Sequence, residues 1–316
     1  MKYRRLGSSD LEVSVVGLGT NNFGGRLPDY DDVARVIDAA IDAGVNFLDT
    51  AEMYGGDHVS EDYIGRALSG KRDKVIIATK VGGAAPPPPP TTPAEVEAKI
   101  TSSLELSLKA LRTDYVDVFQ VSLHDDPELA QVGLRVLDDI AKAGKARFIG
   151  STNNSADELR VAAQAAEEGR FVGFVSEQSQ YSLLVRDIEA DVLPECRAEG
   201  LGVLPYYPLA AGFLTGKYRR GAPSPEGSRF DKSEYQGKRW LSDANFDVIE
   251  RLITFAEDRG HTIADLSFAW LLAELVVGSV IAGASRPDQI VANAASGEWS
   301  LTAEDKMAVD QLLPSM

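Results

Sequence analysis

The sequence predicts a closed α/β barrel, (β/α)8, occupying residues 1–316 as one domain, with an N-terminal β-hairpin before it and extra C-terminal helices. Three observations lead there. Short, continuous apolar segments alternate with amphipathic ones along nearly the whole chain, the pattern of a parallel sheet buried on both faces. Eight such strand–helix units can be counted. A chain of 316 residues suits eight units closed on themselves better than an open, doubly wound sheet.

The elements follow in order. Residues 2–14, KYRRLGSSDLEVS, alternate around the turn Gly7-Ser8-Ser9-Asp10 and predict the hairpin. Residues 13–20 form an apolar strand. The helix at 31–43 places Val33, Val36, Ile37 and Ala40 on one face and stops at Gly44. A strand at 47–50 leads to a helix at 60–69, with Ser60 as N-cap. The buried strand 74–80, KVIIATK, precedes a helix at 93–112, with Thr92 as cap and Pro93 in its first turn. Strands at 117–123, 147–152, 172–178 and 202–208 then alternate with helices at 127–143, 155–168 and 189–199, and Gly144 and Gly200 mark two of the stops. An irregular loop covers 210–239. Helical stretches at 242–259 and 262–275 precede the last strand, 278–283, and two helices at 287–296 and 302–313. The prolines at 86–90 predict a stiff polyproline II spacer in the loop after the third barrel strand.

Composition narrows the function classes. With 48 acidic against 32 basic residues, the formal net charge of −16 argues against a nucleic-acid or anionic-membrane surface. It still permits an anionic ligand, because local cations and backbone N–H groups can hold phosphate inside an acidic protein. No run of 18 apolar residues is present, and no apolar stretch follows the basic N-terminus, so neither a membrane span nor a secretory leader is expected. The single cysteine, Cys196, excludes an intramolecular disulfide and fits a reducing cytoplasm. In its helical setting it reads as packing. Three widely separated histidines leave little for a metal site.

In a barrel, the C-terminal ends of the strands converge on one pocket. In order these ends offer Gly19-Thr20, Asp49 with Tyr54 in the loop beyond it, Lys80, His124, Thr152-Asn153, Gln178, Tyr206, and Gly283 followed by Ser285-Arg286. Singly, each has a structural explanation: Lys80 can snorkel, and His124 can cap the helix at Pro127. Asp49, Tyr54, Lys80 and His124 make chemical sense as a set. A phenol with its ordinary pKa of about 10 is poorly matched to proton transfer at neutral pH. A neighbouring ammonium lowers that pKa by stabilising phenolate, and a buried ammonium needs a counter-ion such as Asp49. An imidazole beside them can hydrogen-bond a substrate oxygen. The glycine-rich GLGTNNFGG is not a dinucleotide fingerprint, since G-x-G-x-x-G requires glycine where Asn22 stands and Pro28 delays the following helix.

With these residues in place, the chain resembles the aldo-keto reductase family over essentially its full length. The motifs are Gly17-Leu18-Gly19-Thr20, Asn46-Phe47-Leu48-Asp49-Thr50-Ala51 with Tyr54-Gly55, Thr79-Lys80, Leu123-His124, Gln178 with Tyr181-Ser182-Leu183-Leu184, Pro208-Leu209-Ala210 with Gly212, Leu214-Thr215-Gly216-Lys217, and Gly283-Ala284-Ser285-Arg286-Pro287. The resemblance implies an NADPH/NADP+ oxidoreductase without a Rossmann fold, acting on a small aldehyde or ketone, sugars included. It implies that Tyr54 is the general acid, tuned by Lys80, with Asp49 pairing Lys80 and His124 orienting the carbonyl. Thr152, Asn153 and Gln178 would hold the nicotinamide carboxamide and Tyr206 would stack on the ring, leaving one face open. Tyr207, Pro208, Leu209, Ala210, Ala211 and Lys217 match the pyrophosphate loop. Gly19, Thr20, Asp49 and Gly283 join the cofactor set. Ser285, Arg286, Gln289 and Asn293 match the adenosine end, with Arg286 toward the 2′-phosphate, where a helix start and a guanidinium together make an anion site.

Ala292 departs from the family pattern, standing where many relatives carry a glutamate near the adenine. The stretch from Pro208 to Tyr218 is similar to the bacterial and channel-subunit side of the family. This raises a second reading, an NADPH-binding regulatory or redox-sensing subunit with little turnover; His124, which some such subunits lack, favours an enzyme. A barrel isomerase or aldolase would also use Lys80, but would need neither Gln178, Tyr206 nor Arg286. Phe23, Arg26, Tyr235 and Trp240 are the expected candidates for pocket walls.

Overall fold

A computed structural model describes residues 1–81 and 89–314, so the proline run lies outside the described residues except for Pro89 and Pro90. Strands β1 (Tyr3–Arg5) and β2 (Glu12–Ser14) form an antiparallel hairpin. Eight parallel strands follow: β3 (Val16–Gly19), β4 (Phe47–Asp49), β5 (Ile76–Lys80), β6 (Val116–Val121), β7 (Ala146–Thr152), β8 (Phe174–Gln178), β9 (Gly202–Val203) and β10 (Val280–Gly283). They lie in the order β10-β3-β4-β5-β6-β7-β8-β9. The two ends of this sheet meet: the Val203 N–H donates to the Val276 carbonyl at 2.8 Å, and the N–H groups of Gly278 and Ile281 donate to Val203 and Pro205 at 2.9 Å. The architecture is the expected (β/α)8 barrel with a leading hairpin.

The hairpin has a structural task. Its Leu6, Leu11 and Val13 pack with Phe47, Ala78, Val118, Leu204 and Ile281, in a core separate from the larger one beneath the helices. The hairpin thus closes one end of the barrel interior, leaving the C-terminal strand ends for a site. Gly7 is required in its turn, because φ is +55° and a Cβ there would lie 2.2 Å from the Val175 carbonyl oxygen. The apolar run expected at 13–20 is divided between two sheets, β2 pairing in the hairpin and β3 in the barrel.

The helices are α1 (Tyr30–Asp42), α2 (Val59–Ala67), α3 (Pro93–Leu111), α4 (Pro127–Lys142), α5 (Ala156–Glu167), α6 (Val192–Ala198), α7 (Glu234–Trp240), α8 (Asp243–Glu257), α9 (Ile263–Ala273), α10 (Pro287–Ser296) and α11 (Ala303–Leu312). Helix α1 buries Val33, Val36, Ile37 and Ala40 as its periodicity demands. Thr92 and Ser155 form capping boxes with Glu95 and Glu158. Helix α11 packs on α8 outside the barrel ring.

Three expectations are corrected. Ser60 does not cap its helix. Helix α2 starts behind His58, whose φ is 64°, and the Ser60 hydroxyl bonds instead to the hydroxyls of Thr20 at 2.9 Å and Thr50 at 3.1 Å. The strand expected at 202–208 shrinks to Gly202–Val203, since Pro205 and Pro208 have no N–H for a ladder. The region from 187 to 240 is more broken than its pattern suggests, with 3-10 turns at Asp187–Glu189 and Ala210–Thr215 and a true helix at α7.

Candidate active site

Strand β4 is buried throughout and ends on Asp49; β5 ends on Lys80, 8% exposed, beside it. The Lys80 ammonium donates to both Asp49 carboxylate oxygens, at 2.7 and 2.8 Å, and to the Thr50 carbonyl at 2.9 Å. The loop that carries Tyr54 folds back over this pair. The Tyr54 N–H donates to the Ala51 carbonyl, and the Ser60 N–H to the Tyr54 carbonyl. Gly55 makes the reversal possible: φ is +75° and a Cβ would stand 2.5 Å from the Phe23 carbonyl oxygen. The Lys80 Nζ lies 5.2 Å from the Tyr54 ring centroid, close enough for its charge to act on the phenol.

The electrostatics partly reverse the sequence expectation. Burial raises the Tyr54 pKa, Lys80 pulls it down, Asp49 pushes it up again, and the net direction is upward from the ordinary phenol value. For Lys80, burial opposes the charge, but Asp49 and Tyr54 prevail and hold its pKa above the ordinary value. The ammonium is therefore charged, as the set requires, but it moderates a raised phenol pKa without producing a lowered one.

Asp49 has two further partners. Gln178 at the end of β8 donates its amide to Asp49 at 2.7 Å, and Gln120 donates at 3.3 Å. Gln120 was not expected. It is fully buried one residue before the end of β6, pairs in register with Lys80, and accepts from Gln178 at 3.3 Å. The signal lay in the sequence as one amide inside the apolar run DVFQVSL. His124 does not cap α4, a role taken by Asp126. Its Nδ1 accepts from the Asp126 N–H at 2.9 Å, so Nε2 carries the proton, which it donates to the Pro90 carbonyl at 3.0 Å.

Asp49, Tyr54, Lys80 and His124 line a cleft of about 1010 Å³ that also includes Gly19, Thr20, Thr152, Asn153, Gln178, Tyr206, Tyr207, Pro208, Leu209, Ala211, Lys217, Gly283, Ser285, Arg286, Gln289 and Asn293. Ala210 is the exception: its side chain is fully buried in the core and does not line the cleft. Among the candidate walls only Arg26 lines it. Phe23 and Trp240 belong to the core, and Tyr235 is 72% exposed outside the cleft.

The Tyr206 hydroxyl is held by the Asn153 side chain at 2.9 Å, and its ring meets Tyr207 edge-on at 5.5 Å between centroids. Ala210, Ala211 and Gly212 have φ of 46°, 59° and 97°, a left-handed run of the kind that turns backbone N–H groups toward an anion. Lys217, Arg26 and Arg229 reach the same cleft, and among the described residues none of the three is ion-paired. Arg229 was missed in the long loop. Burial and then Arg229 itself lower the Arg26 pKa, so two cations share this wall. At the far end, Gln289 accepts from the Ser285 N–H at 2.8 Å and hydroxyl at 3.1 Å. Arg286, the N-cap of α10, makes a two-point contact with Asp288 at 3.0 Å, so its guanidinium is not free.

One carboxyl behind the site was also missed. Glu177, in β8 next to Gln178, is fully buried and forms no ion pair among the described residues. It accepts from the hydroxyls of Ser151 at 2.5 Å and Ser179 at 2.6 Å, and the backbone N–H groups of Asn153 and Asn154 also favour its charged form. Burial raises its pKa to about 7 despite those donors. Asn154 in turn accepts from the Leu123 N–H at 3.0 Å, next to His124. Cys196 is buried in α6, and burial pushes its thiol pKa up, a packing environment and not that of a nucleophile. Among the described residues no group of three or more His, Cys, Asp or Glu is placed to hold a metal ion, and no helix is long and apolar enough to cross a membrane.

The chain is similar to known proteins over nearly its whole length. The model of the aldo/keto reductase family matches residues 15–314. An uncharacterized oxidoreductase, YrpG, of Bacillus subtilis is 34% identical, covering 99% of this chain and 96% of its own length. A probable voltage-gated potassium channel subunit beta of Arabidopsis thaliana is also 34% identical, covering 93% and 90%. The solved holo form of an aldo-keto reductase from Bacillus halodurans superposes with a TM-score of 0.77 at 29% identity, covering 99% of this chain and 97% of that one.

Proposed function

Since the chain belongs to the aldo/keto reductase family, we propose that it is an NADPH-dependent reductase of a small aldehyde or ketone, with Tyr54 as the proton donor. The observation that carries the reading is the continuous contact from Asp49 through Lys80 to Tyr54 at the closed floor of the cleft. The cleft suits a dinucleotide: an anchored aromatic face at Tyr206, an amide-rich corner at Asn153 and Gln178, cations at Arg26, Lys217 and Arg229 without an ion pair among the described residues, and a helix start at Ser285-Arg286. Bound NADPH supplies the hydride; the remaining roles belong to the chain.

Tyr54 gives its proton to the carbonyl oxygen as that oxygen gains charge. The Lys80 ammonium stabilises the phenolate left behind, and Asp49, braced by Gln178 and Gln120, keeps Lys80 charged and aimed. The Nε2–H of His124 orients the same oxygen, with its tautomer fixed by the Asp126 N–H. Replacing Tyr54 by Phe keeps the ring and removes only the proton. NADPH binding, read by fluorescence titration, should persist while turnover over a panel of carbonyls falls by roughly 10²–10⁴-fold; near-normal turnover would dismiss Tyr54 as the acid.

One observation favours a second reading, a nicotinamide-binding regulatory subunit with little turnover. The His124 proton is already engaged by the Pro90 carbonyl, so a substrate must displace that contact. NADPH binding without consumption across the carbonyl panel is the result that would select this reading. We also propose that the protein works in the cytoplasm, in keeping with one buried cysteine and no disulfide.

A further inference from the structure

Beside His124 the cleft continues between the first two turns of α3 and α4. Its walls there are Val96 and Ile100 from α3, Leu129, Ala130 and Gly133 from α4, and Leu123 from the segment after β6. All of these are buried. The polar groups at its edge are committed elsewhere: Lys99 pairs with Glu52 at 2.7 Å, and the Ser122 hydroxyl donates to the Thr152 carbonyl. A hydroxylated tail placed against these apolar walls would lose water and gain no side-chain hydrogen bond from them, an unfavourable exchange that an alkyl or aryl tail does not face.

Gly133 gives the slot its width. Glycine weakens a helix interior relative to alanine, so its presence mid-helix calls for a reason. Gly65 in α2 has an ordinary one: a Cβ there would lie 2.6 Å from the backbone of Ala110 and Leu111. At Gly133 no such pressure exists, since a Cβ would meet only the Ile100 Cδ1, at 3.7 Å, an ordinary contact. The missing side chain leaves space that belongs to the cleft.

We propose that the slot between α3 and α4 receives the apolar tail of the substrate, so that the preferred carbonyl compounds carry an unbranched alkyl or aryl chain and not a polyhydroxylated one. The inference rests on the reductase reading above and deepens it. Each methylene taken from water into such a slot strengthens binding by about three- to fourfold.

The test is a series of straight-chain aldehydes from propanal to decanal, with NADPH consumption giving kcat/KM for each, in the wild type and in Gly133→Leu, which fills the slot from α4. The wild type should climb by about three- to fourfold per added carbon until the slot is full. Gly133→Leu should flatten that climb, and Val96→Phe, which fills it from α3, should do the same if the first variant folds poorly. A hydroxylated aldehyde of equal length should fall well below its alkyl counterpart. A flat wild-type series, or a climb unchanged in both variants, overturns the tail assignment while leaving the reductase reading intact. No consumption with any member, while other compounds of the carbonyl panel are turned over, overturns the inference alone; no consumption across the whole panel overturns the reductase reading and the inference with it.

Discussion

Lys80 shows how narrowly the site is balanced at the level of single residues. Its ammonium meets two carboxylate oxygens and a carbonyl inside a buried pocket, 5.2 Å from the centre of the Tyr54 ring. Burial already lifts the Tyr54 pKa, and Lys80 is the largest influence acting downward. Lys80→Met should therefore do two things. Turnover should fall by at least about 10²-fold, and the limb of the residual pH–rate profile that reports Tyr54 should move to higher pH. A residual profile that overlays the wild type would make Lys80 a structural residue. Asp49 and Gln120 would then be parts of a buried polar cluster without influence on the phenol.

At the level of elements, the proposed preference for NADPH would rest on helix α10. Its start offers the positive end of the helix dipole and one guanidinium, and these favour a phosphate. Asp288, however, engages that guanidinium through both oxygens. The Arg286 side chain is 60% exposed, so water screens whatever it binds. A charge-assisted contact is worth about 1.5–3 kcal/mol, and exposure places this one at the low end. Arg286→Ala should weaken NADPH binding by roughly tenfold and leave NADH nearly unchanged. Asp288→Asn should act oppositely, strengthening NADPH binding by freeing the guanidinium. Dissociation constants for both cofactors with both variants check this; equal losses for NADPH and NADH in Arg286→Ala would show that Arg286 does not read the 2′-phosphate.

The whole barrel carries one titration that no single contact reveals. Glu177 sits behind the turn that holds Asn153 and Asn154, with only neutral donors around it. The other titratable groups that act near it, Cys196 on α6 and Tyr206 beyond β9, are themselves pushed upward by burial and bring no positive charge. A carboxyl whose pKa rises from 4.5 to about 7 on folding favours the protonated folded state. Its contribution to stability is fully present below about pH 4.5 and lost as the pH rises through about 7, a swing of about 3 kcal/mol. Glu177→Gln cannot titrate. Urea midpoints of wild type and variant, compared between pH 5 and 8, should draw apart in the variant's favour as the pH rises. A difference that stays constant with pH would refute the assignment.

The chain order of apolar and amphipathic segments determined the barrel, because a strand buried on both faces must be continuously apolar and a covering helix must be striped, and neither property depends on distant partners. The polar residues that end the strands were legible for the same reason: Asp49, Lys80, Thr152 and Gln178 each interrupt a buried run at its last position. What the sequence could not show was who meets whom. Ser60 reads as a helix cap and is spent on Thr20 and Thr50; Arg286 reads as a free cation and is held by Asp288; Ala210 reads as a cleft residue and is turned into the core. Gln120 and Glu177 lie inside strands, where an isolated polar residue announces a buried partner without naming it. The phenol gives the clearest case. Spacing brought Tyr54 and Lys80 to one pocket, but the direction of the pKa depended on how much water the folded loop excludes, a property of the closed tertiary structure and of no residue alone.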